Sequence, residues 1–142
     1  MFQRDYILRM IEMIGDFIAA IMGLIREGKL EEAEERLSNL YYDVLKEDAA
    51  FFRNLKKEDI TDKLLENHNY TNSHLEILAE LFNAEAELNL AREDFPMCFD
   101  YSQKSLIIFQ FVDAEQKIYS PERISKMESI RKRIEWLSKG QS

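Results

Sequence analysis

The chain has 142 residues, 46% of them hydrophobic, and a formal net charge of −8. A chain of this length is expected to form one domain, residues 1–142, whose core needs neither a disulfide nor a metal. It contains only four glycines and two prolines, which are too few turn formers for an all-β fold, and its many Leu, Glu, Lys and Ala residues favour helix. We therefore expect an all-α protein.

The charge and the hydropathy pattern exclude two classes of partner. Residues 1–120 carry a net charge of −11 and residues 121–142 carry +3. An acidic body disfavours nucleic acid, whose phosphates would repel it; the acidic surface either suits a basic peptide or only keeps the chain solvated. The apolar-rich stretch Met13–Ile25 has 13 residues, whereas a membrane-spanning helix needs about 20. We expect a cytoplasmic protein that binds neither nucleic acid nor membrane.

The first two predicted helices form an antiparallel hairpin. Apolar residues recur at three- and four-residue steps from about Arg4 to Glu27, and their arc is wider than one neighbouring helix would cover. Gly28 can adopt the left-handed conformation that ends a helix. A second helix is predicted from Leu30 to Lys46. The wide arc of the first helix also makes it a candidate homodimer surface.

The middle of the chain is less regular. Short helices are predicted at Ala49–Leu55 and Asp59–Glu66, and residues 67–72 form a polar, turn-prone stretch. We expect this region to hold a functional loop.

Three longer helices complete the prediction. The boundaries are Ser73–Arg92, with Asn72 or Thr71 as N-cap; Phe95–Val112, after a turn at residues 93–94; and a last helix from Ser120–Pro121. Residues 113–119 are predicted to connect the last two helices, either as an irregular segment or as a further helical stretch. The final helix has a narrow apolar stripe, and its opposite face is polar. This pattern is typical of a helix that caps a stack of helical repeats.

The first hairpin carries a repeat-like pattern of large and small residues. Its positions are Phe17, Ala20, Ile21 and Leu24 on the first helix and Ala33 and Leu37 on the second. In this pattern the hairpin resembles a tetratricopeptide (TPR) repeat, a helix pair of about 34 residues. A looser second copy has Leu81, Ala84 and Leu88, then Cys98 and Ser102. Four features depart from the repeat pattern. Ile21 occupies a position that the repeat keeps small, and no proline closes either copy. The turn of the second copy is one residue longer, and the segment between the two copies does not match the repeat.

This resemblance implies stacked antiparallel hairpins with a C-terminal capping helix, and protein or peptide binding in a concave groove lined by the first helix of each hairpin. It implies no catalytic residues. The chain also resembles the small uncharacterised helical proteins that are common in anaerobic bacteria, a resemblance that implies no activity. Its only cysteine, Cys98, is expected to be a core residue, which favours a reducing compartment.

No pattern in the sequence predicts catalysis, a cofactor or a metal. The two histidines, His68 and His74, are six positions apart and would lie on different faces of a helix. No Cys-x-x-Cys, His-Glu-x-x-His or Glu-x-x-His motif occurs, and the glycines are too dispersed for a phosphate-binding loop. We expect no enzyme; the alternative is a buried polar pocket around His68 or His74 that acts on a small molecule.

Several aromatic residues are not needed for the apolar faces of the predicted helices. They are the remaining indication of function, because aromatic side chains are favoured in interfaces. They either bind a partner or form a small cluster under the irregular middle segment. The candidate partner-binding residues are Tyr42, Phe51, Phe52, Tyr70, Asn83 and Glu87. The sequence therefore predicts a TPR-like scaffold for an unidentified protein or peptide, or alternatively a homodimeric structural or regulatory protein assembled through the N-terminal helix.

Overall fold

The computed structural model describes the backbone of residues 2–67, 70–117 and 119–140, and the side chains of these residues other than 2–8, 10, 11, 62, 63 and 67. Over these ranges the chain is all-helical, with no strand. The helices are α1 (Phe2–Arg26), α2 (Leu30–Leu45), α3 (Ala49–Arg53), α4 (Ile60–Asn67), α5 (Asn72–Ala91), α6 (Phe95–Gln116) and α7 (Pro121–Ser138), with a 3-10 turn at Lys57–Asp59 before α4.

The chain reverses direction at Gly28, as the sequence predicts. Gly28 has φ +80°, a conformation that costs a residue with a Cβ atom about 1–2 kcal/mol. Its N–H donates to the carbonyl of Ile25 at 3.0 Å, and the N–H of Lys29 donates to that of Leu24 at 2.9 Å. These bonds satisfy carbonyls at the end of α1 and let α2 start at once.

Side-chain caps fix the start of the later helices. The Thr71 hydroxyl accepts from the backbone N–H of His74, Asp94 caps α6 and Ser120 caps α7. Pro96 and Pro121 lie in the first turns of α6 and α7, where a proline loses no helical hydrogen bond.

Helix α6 is longer than predicted. It continues past Val112 to Gln116 and ends where Lys117 adopts φ 56°. Val112 is fully buried and Asp113 is ion-paired to Arg123 of α7, so tertiary contacts hold the extra turn in place.

Helix α5 is the centre of the fold. It packs against α1, α2 and α6, while α7 packs on α6 and α1 packs on α2. Ala79, Ala84 and Ala86 are completely buried on α5, and the hydroxyl of Ser105 on α6 donates to the carbonyl of Ala79 at 2.7 Å. Small side chains therefore let α6 approach closely. No helix in the described ranges is both long and apolar enough to cross a lipid bilayer.

Candidate functional site

An open groove runs between α1 and α2 on the outside of the first hairpin. We call it the hairpin groove; Met13, Phe17 and Ala20 line it from α1, and Arg36, Asn39, Leu40 and Asp43 line it from α2. Its volume is about 430 Å³, which is in the range of ligand-binding clefts. Met13 is 53% exposed and Phe17 is 48% exposed. Large apolar side chains that share one exposed cleft are typical of interaction surfaces.

Tyr42 lies beside this groove and is 60% exposed. A second hollow, between α2 and the start of α3, is lined by Tyr42 and Asp48, and it shares Asn39 and Asp43 with the hairpin groove. The two hollows therefore form one continuous surface along α2. Of the six candidate residues named from the sequence, Tyr42 is the one whose side chain is mostly in solvent.

The other aromatic candidates pack together inside the molecule. Phe52 is fully buried, stacks on Tyr41 with ring centroids 5.4 Å apart, and meets Phe51 edge to face at 5.1 Å. The half-buried Tyr70 is 6.4 Å from Phe52, and its hydroxyl donates to the carbonyl of Leu45 at 2.6 Å. Burial raises the pKa of Tyr70 to about 12. This arrangement is the aromatic cluster under the middle segment.

Asn83 and Glu87 lie on α5 and are both held by Arg133 of α7. The Arg133 guanidinium donates to Asn83 Oδ1 at 2.6 Å, to Glu87 Oε1 at 2.7 Å and to Ser102 Oγ of α6 at 2.8 Å. The two side chains are half-buried, so these intramolecular bonds compete with any bond to a partner. Asn83 and Glu87 therefore contact α7, whereas Tyr42 lies on α2.

Arg133 belongs to a row of ion pairs between α5 and α7. Arg123 contacts Glu76 at 3.4 Å, Lys126 pairs with Glu80, and Arg133 pairs with Glu87. Positions 76, 80, 83 and 87 lie on one face of a helix. Their spacing, together with the basic C-terminal segment, is the signal by which the pairing could have been found in the sequence. Desolvation lowers the pKa of Lys126.

A buried polar cluster of Tyr41, Arg53 and Glu85 joins α2, α3 and α5, and sequence reasoning did not identify it. Glu85 is 2% exposed; its Oε2 accepts from the Tyr41 hydroxyl at 3.0 Å and from Arg53 Nε at 2.6 Å. Burial raises the pKa of Glu85 above its usual range, and the Arg53 guanidinium opposes that shift. Burial and the neighbouring carboxylate also raise the pKa of Tyr41. Glu85 is sealed from solvent, whereas the Arg53 side chain is 26% exposed.

His74 has a local structural role. Its Nδ1 accepts from the backbone N–H of Thr71 at 3.0 Å, which completes a capping box at the start of α5, and its ring stacks 4.9 Å from that of Tyr70. Burial lowers the pKa of His74, so the neutral ring needed to accept this bond is favoured. His68 lies outside the described residues. Within the described part of the chain, no three His, Cys, Asp or Glu side chains are placed to hold a metal ion.

Comparisons of the chain with protein-family models, with curated proteins and with solved structures give no match.

Proposed function

We propose that this protein is a non-catalytic helical scaffold that binds a protein or peptide partner, and that the hairpin groove is its binding surface. The observation that carries the proposal is the pair of exposed apolar side chains, Met13 and Phe17, above a cleft of about 430 Å³. A groove between two antiparallel helices suits an amphipathic helix, whose apolar residues would enter the cleft at helical spacing.

The proposed architecture is a TPR-like stack. In it α1–α2 and α5–α6 are the two hairpins, and α7 caps the second. The contacts of α5 with α1, α2 and α6 support this reading, because in a stack the first helix of each hairpin packs against both helices of the previous one. The resemblance by itself would put the partner on the concave side; the bonds of Arg133 to Asn83 and Glu87 favour the hairpin groove instead.

The absence of catalysis is also a proposal. Two groups that chemistry could use, Glu85 and His74, have partners that suit structural roles: Glu85 accepts from Tyr41 and Arg53, and His74 completes a helix cap. Cys98, the only cysteine, is a buried free thiol, and burial raises its pKa, which disfavours the reactive thiolate. A single free thiol also suits the proposed location, a bacterial cytoplasm.

A photo-crosslinking experiment tests the binding surface. The photoreactive amino acid benzoylphenylalanine would replace Phe17 in one variant and Trp136 in a control, because Trp136 is exposed to a similar extent, 44%, on α7. We expect irradiation in host extract to give a discrete heavier product from position 17 and none from position 136. A pattern that is identical at both positions, or no product at position 17, would contradict the proposed site.

A second candidate function is a homodimeric structural or regulatory protein that assembles through its N-terminal helix. It is favoured by the location of Met13 and Phe17 on α1, since the exposed part of the apolar arc is then available to another copy. In the crosslinking experiment this function gives a product of twice the chain mass with purified protein alone.

A further inference from the structure

The hairpin groove has two unlike ends. Because α1 and α2 run antiparallel from the turn at Gly28, residues on the two helices face one another level by level. Counted away from the turn, Met13 comes level with Asp43, Phe17 with Asn39, and Ala20 with Arg36, and all six residues line the groove. One end therefore presents a large apolar side chain and a carboxylate, the other presents a small side chain and a guanidinium, and Phe17 lies midway.

This order makes the groove complementary to itself when one copy is turned end for end. We infer that the occupant of the groove is a second copy of this chain. The two-fold axis that relates the copies lies between them, perpendicular to the helices, and passes over α1 near Phe17 and over α2 between Asn39 and Leu40. The inference rests on the proposed binding role of the groove and names the partner. Interfaces of two-fold dimers are isologous, so each contact occurs twice.

The contacts of the dimer follow from that axis. Met13 of each copy covers Ala20 of the other, so a large side chain fills the space above a small one. Arg36 of each copy faces Asp43 of the other, which gives two ion pairs. The two Phe17 rings meet near the axis. Together α1 and α2 of both copies form a four-helix arrangement in which apolar side chains exposed in the single chain become buried.

Charge favours this occupant over an unrelated basic helix. Arg36 and Asp43 are the two charged residues that line the hairpin groove, and their charges cancel. A basic helix would satisfy Asp43 and be repelled by Arg36, whereas a second copy satisfies both. Arg36 is also held along α2 by Glu32 at 3.2 Å.

Charge reversal tests the arrangement through the oligomeric state of the purified chain. Sedimentation equilibrium from low to high micromolar concentration would compare the wild type with Arg36→Asp, Asp43→Arg and the double variant R36D/D43R. Each single reversal gives positions 36 and 43 of the facing copies the same charge, and this contact occurs twice in the dimer. We therefore expect the dissociation constant of the dimer to rise about tenfold or more. The double variant restores both ion pairs and is expected to dimerise within about threefold of the wild type.

Mixing the two single variants is the decisive arm. One copy then presents two carboxylates at the ends of its groove and the other presents two guanidinium groups, so each is repelled by itself and attracted to the other. We expect heterodimers in the mixture and monomers in each separate sample. If the wild type dimerises but neither mixing nor the double variant restores association, the proposed axis is wrong.

Phe17→Ser, with Trp136→Ser as the matched control, separates this inference from the proposed function. We expect F17S to abolish dimerisation over the measured range and W136S to leave it unchanged. A wild-type chain that stays monomeric throughout, while crosslinking from position 17 gives a product of another mass, would overturn the dimer and leave the groove as a binding site. Failure of both assays would overturn both proposals.

Discussion

The Nε atom of Arg53 donates to Oε2 of Glu85 over 2.6 Å and thereby connects α3 to the middle of α5. The same guanidinium donates to the Ser38 hydroxyl on α2 at 3.1 Å and lies 5.7 Å from the centre of the Tyr41 ring. One side chain at the end of a five-residue helix thus contacts two other helices, α2 and α5. A helix of that length has almost no stability of its own, so these contacts and the burial of Phe52 hold α3 in place.

Removing Arg53 should make stability fall as pH rises. Burial raises the pKa of Glu85 and Arg53 opposes the shift, so Arg53→Met raises that pKa further. An acid whose pKa is higher in the folded than in the unfolded protein does not change the free energy of unfolding below its unfolded pKa. Above its folded pKa, it lowers that free energy by the full amount that the pKa difference sets. We expect R53M to lose roughly 2–3 kcal/mol at pH 8 and less at pH 5, because a lower pH favours the neutral carboxyl group of Glu85. Urea denaturation at both pH values measures the difference.

The exposed Arg131 on α7 provides the control for this experiment. Arg131→Met removes the same charge from the chain and should change stability little and equally at the two pH values. A stability loss in R53M that is equal at pH 5 and pH 8 would show that the protonation of Glu85 in the folded protein does not change between these two pH values.

Two aromatic candidates for partner binding should differ sharply in their effect on folding. Phe52 is fully buried between Tyr41 and Phe51, whereas Tyr42 is 60% exposed. Phe52→Ala should cost about 3–5 kcal/mol, because it leaves a cavity in the core. Tyr42→Ala should change stability by no more than about 0.5 kcal/mol. Thermal unfolding of both variants distinguishes them, and a similar loss in each would contradict the packing described for Phe52.

Arg133 is expected to stabilise the packing of α7 against α5 and α6. Its guanidinium makes three hydrogen bonds, to Asn83, Glu87 and Ser102, and its side chain is only 10% exposed. Arg133→Met should cost about 1–3 kcal/mol, because it leaves half-buried acceptors without their donor. Hydrogen exchange should become faster in α7 first. With R131M as the neighbouring control, exchange that accelerates equally in both variants would argue against this role.

Two glycines of the first hairpin should respond to alanine in opposite directions. Gly28→Ala forces a Cβ atom into a conformation with φ +80°, which costs about 1–2 kcal/mol. Gly23 lies inside α1, and a Cβ atom built there meets nothing within 4 Å, so Gly23→Ala should stabilise by roughly 0.5–1 kcal/mol. Paired urea titrations measure both changes. Equal destabilisation by the two substitutions would mean that the positive φ of Gly28 is not the cause of the stability loss in Gly28→Ala.

The helices are largely predictable from local sequence because their signals are local. Gly28, Thr71, Asp94, Pro96 and Pro121 mark helix ends by backbone conformation or by capping, and the structure uses each of them there. The end of α6 was predicted four residues early, at Val112 rather than Gln116. That error has a physical cause: the additional turn is stabilised by contacts with α7, and these contacts leave no local pattern.

The polar contacts inside the fold were the harder part to predict. The local sequence does not predict the ion pairs of Glu76, Glu80 and Glu87, because their partners lie on α7, about 46 residues later in the chain. Glu85 is three helical turns from the start of α5 and nothing beside it in sequence predicts burial; its partners are on α2 and α3. Which charges are paired depends on the order in which helices stack, and that order is a tertiary property.

The chain has a single tryptophan, Trp136, and its ring lies edge to face against Phe95 with centroids 5.9 Å apart. Since Phe95 begins α6 and Trp136 is near the end of α7, the intrinsic fluorescence of this protein reports on one end of the molecule. The hairpin groove and the buried polar cluster have no tryptophan nearby to report on them. Emission and far-ultraviolet circular dichroism will therefore give the same melting curve if the terminal helix unfolds together with the rest, and two separate curves if it detaches first.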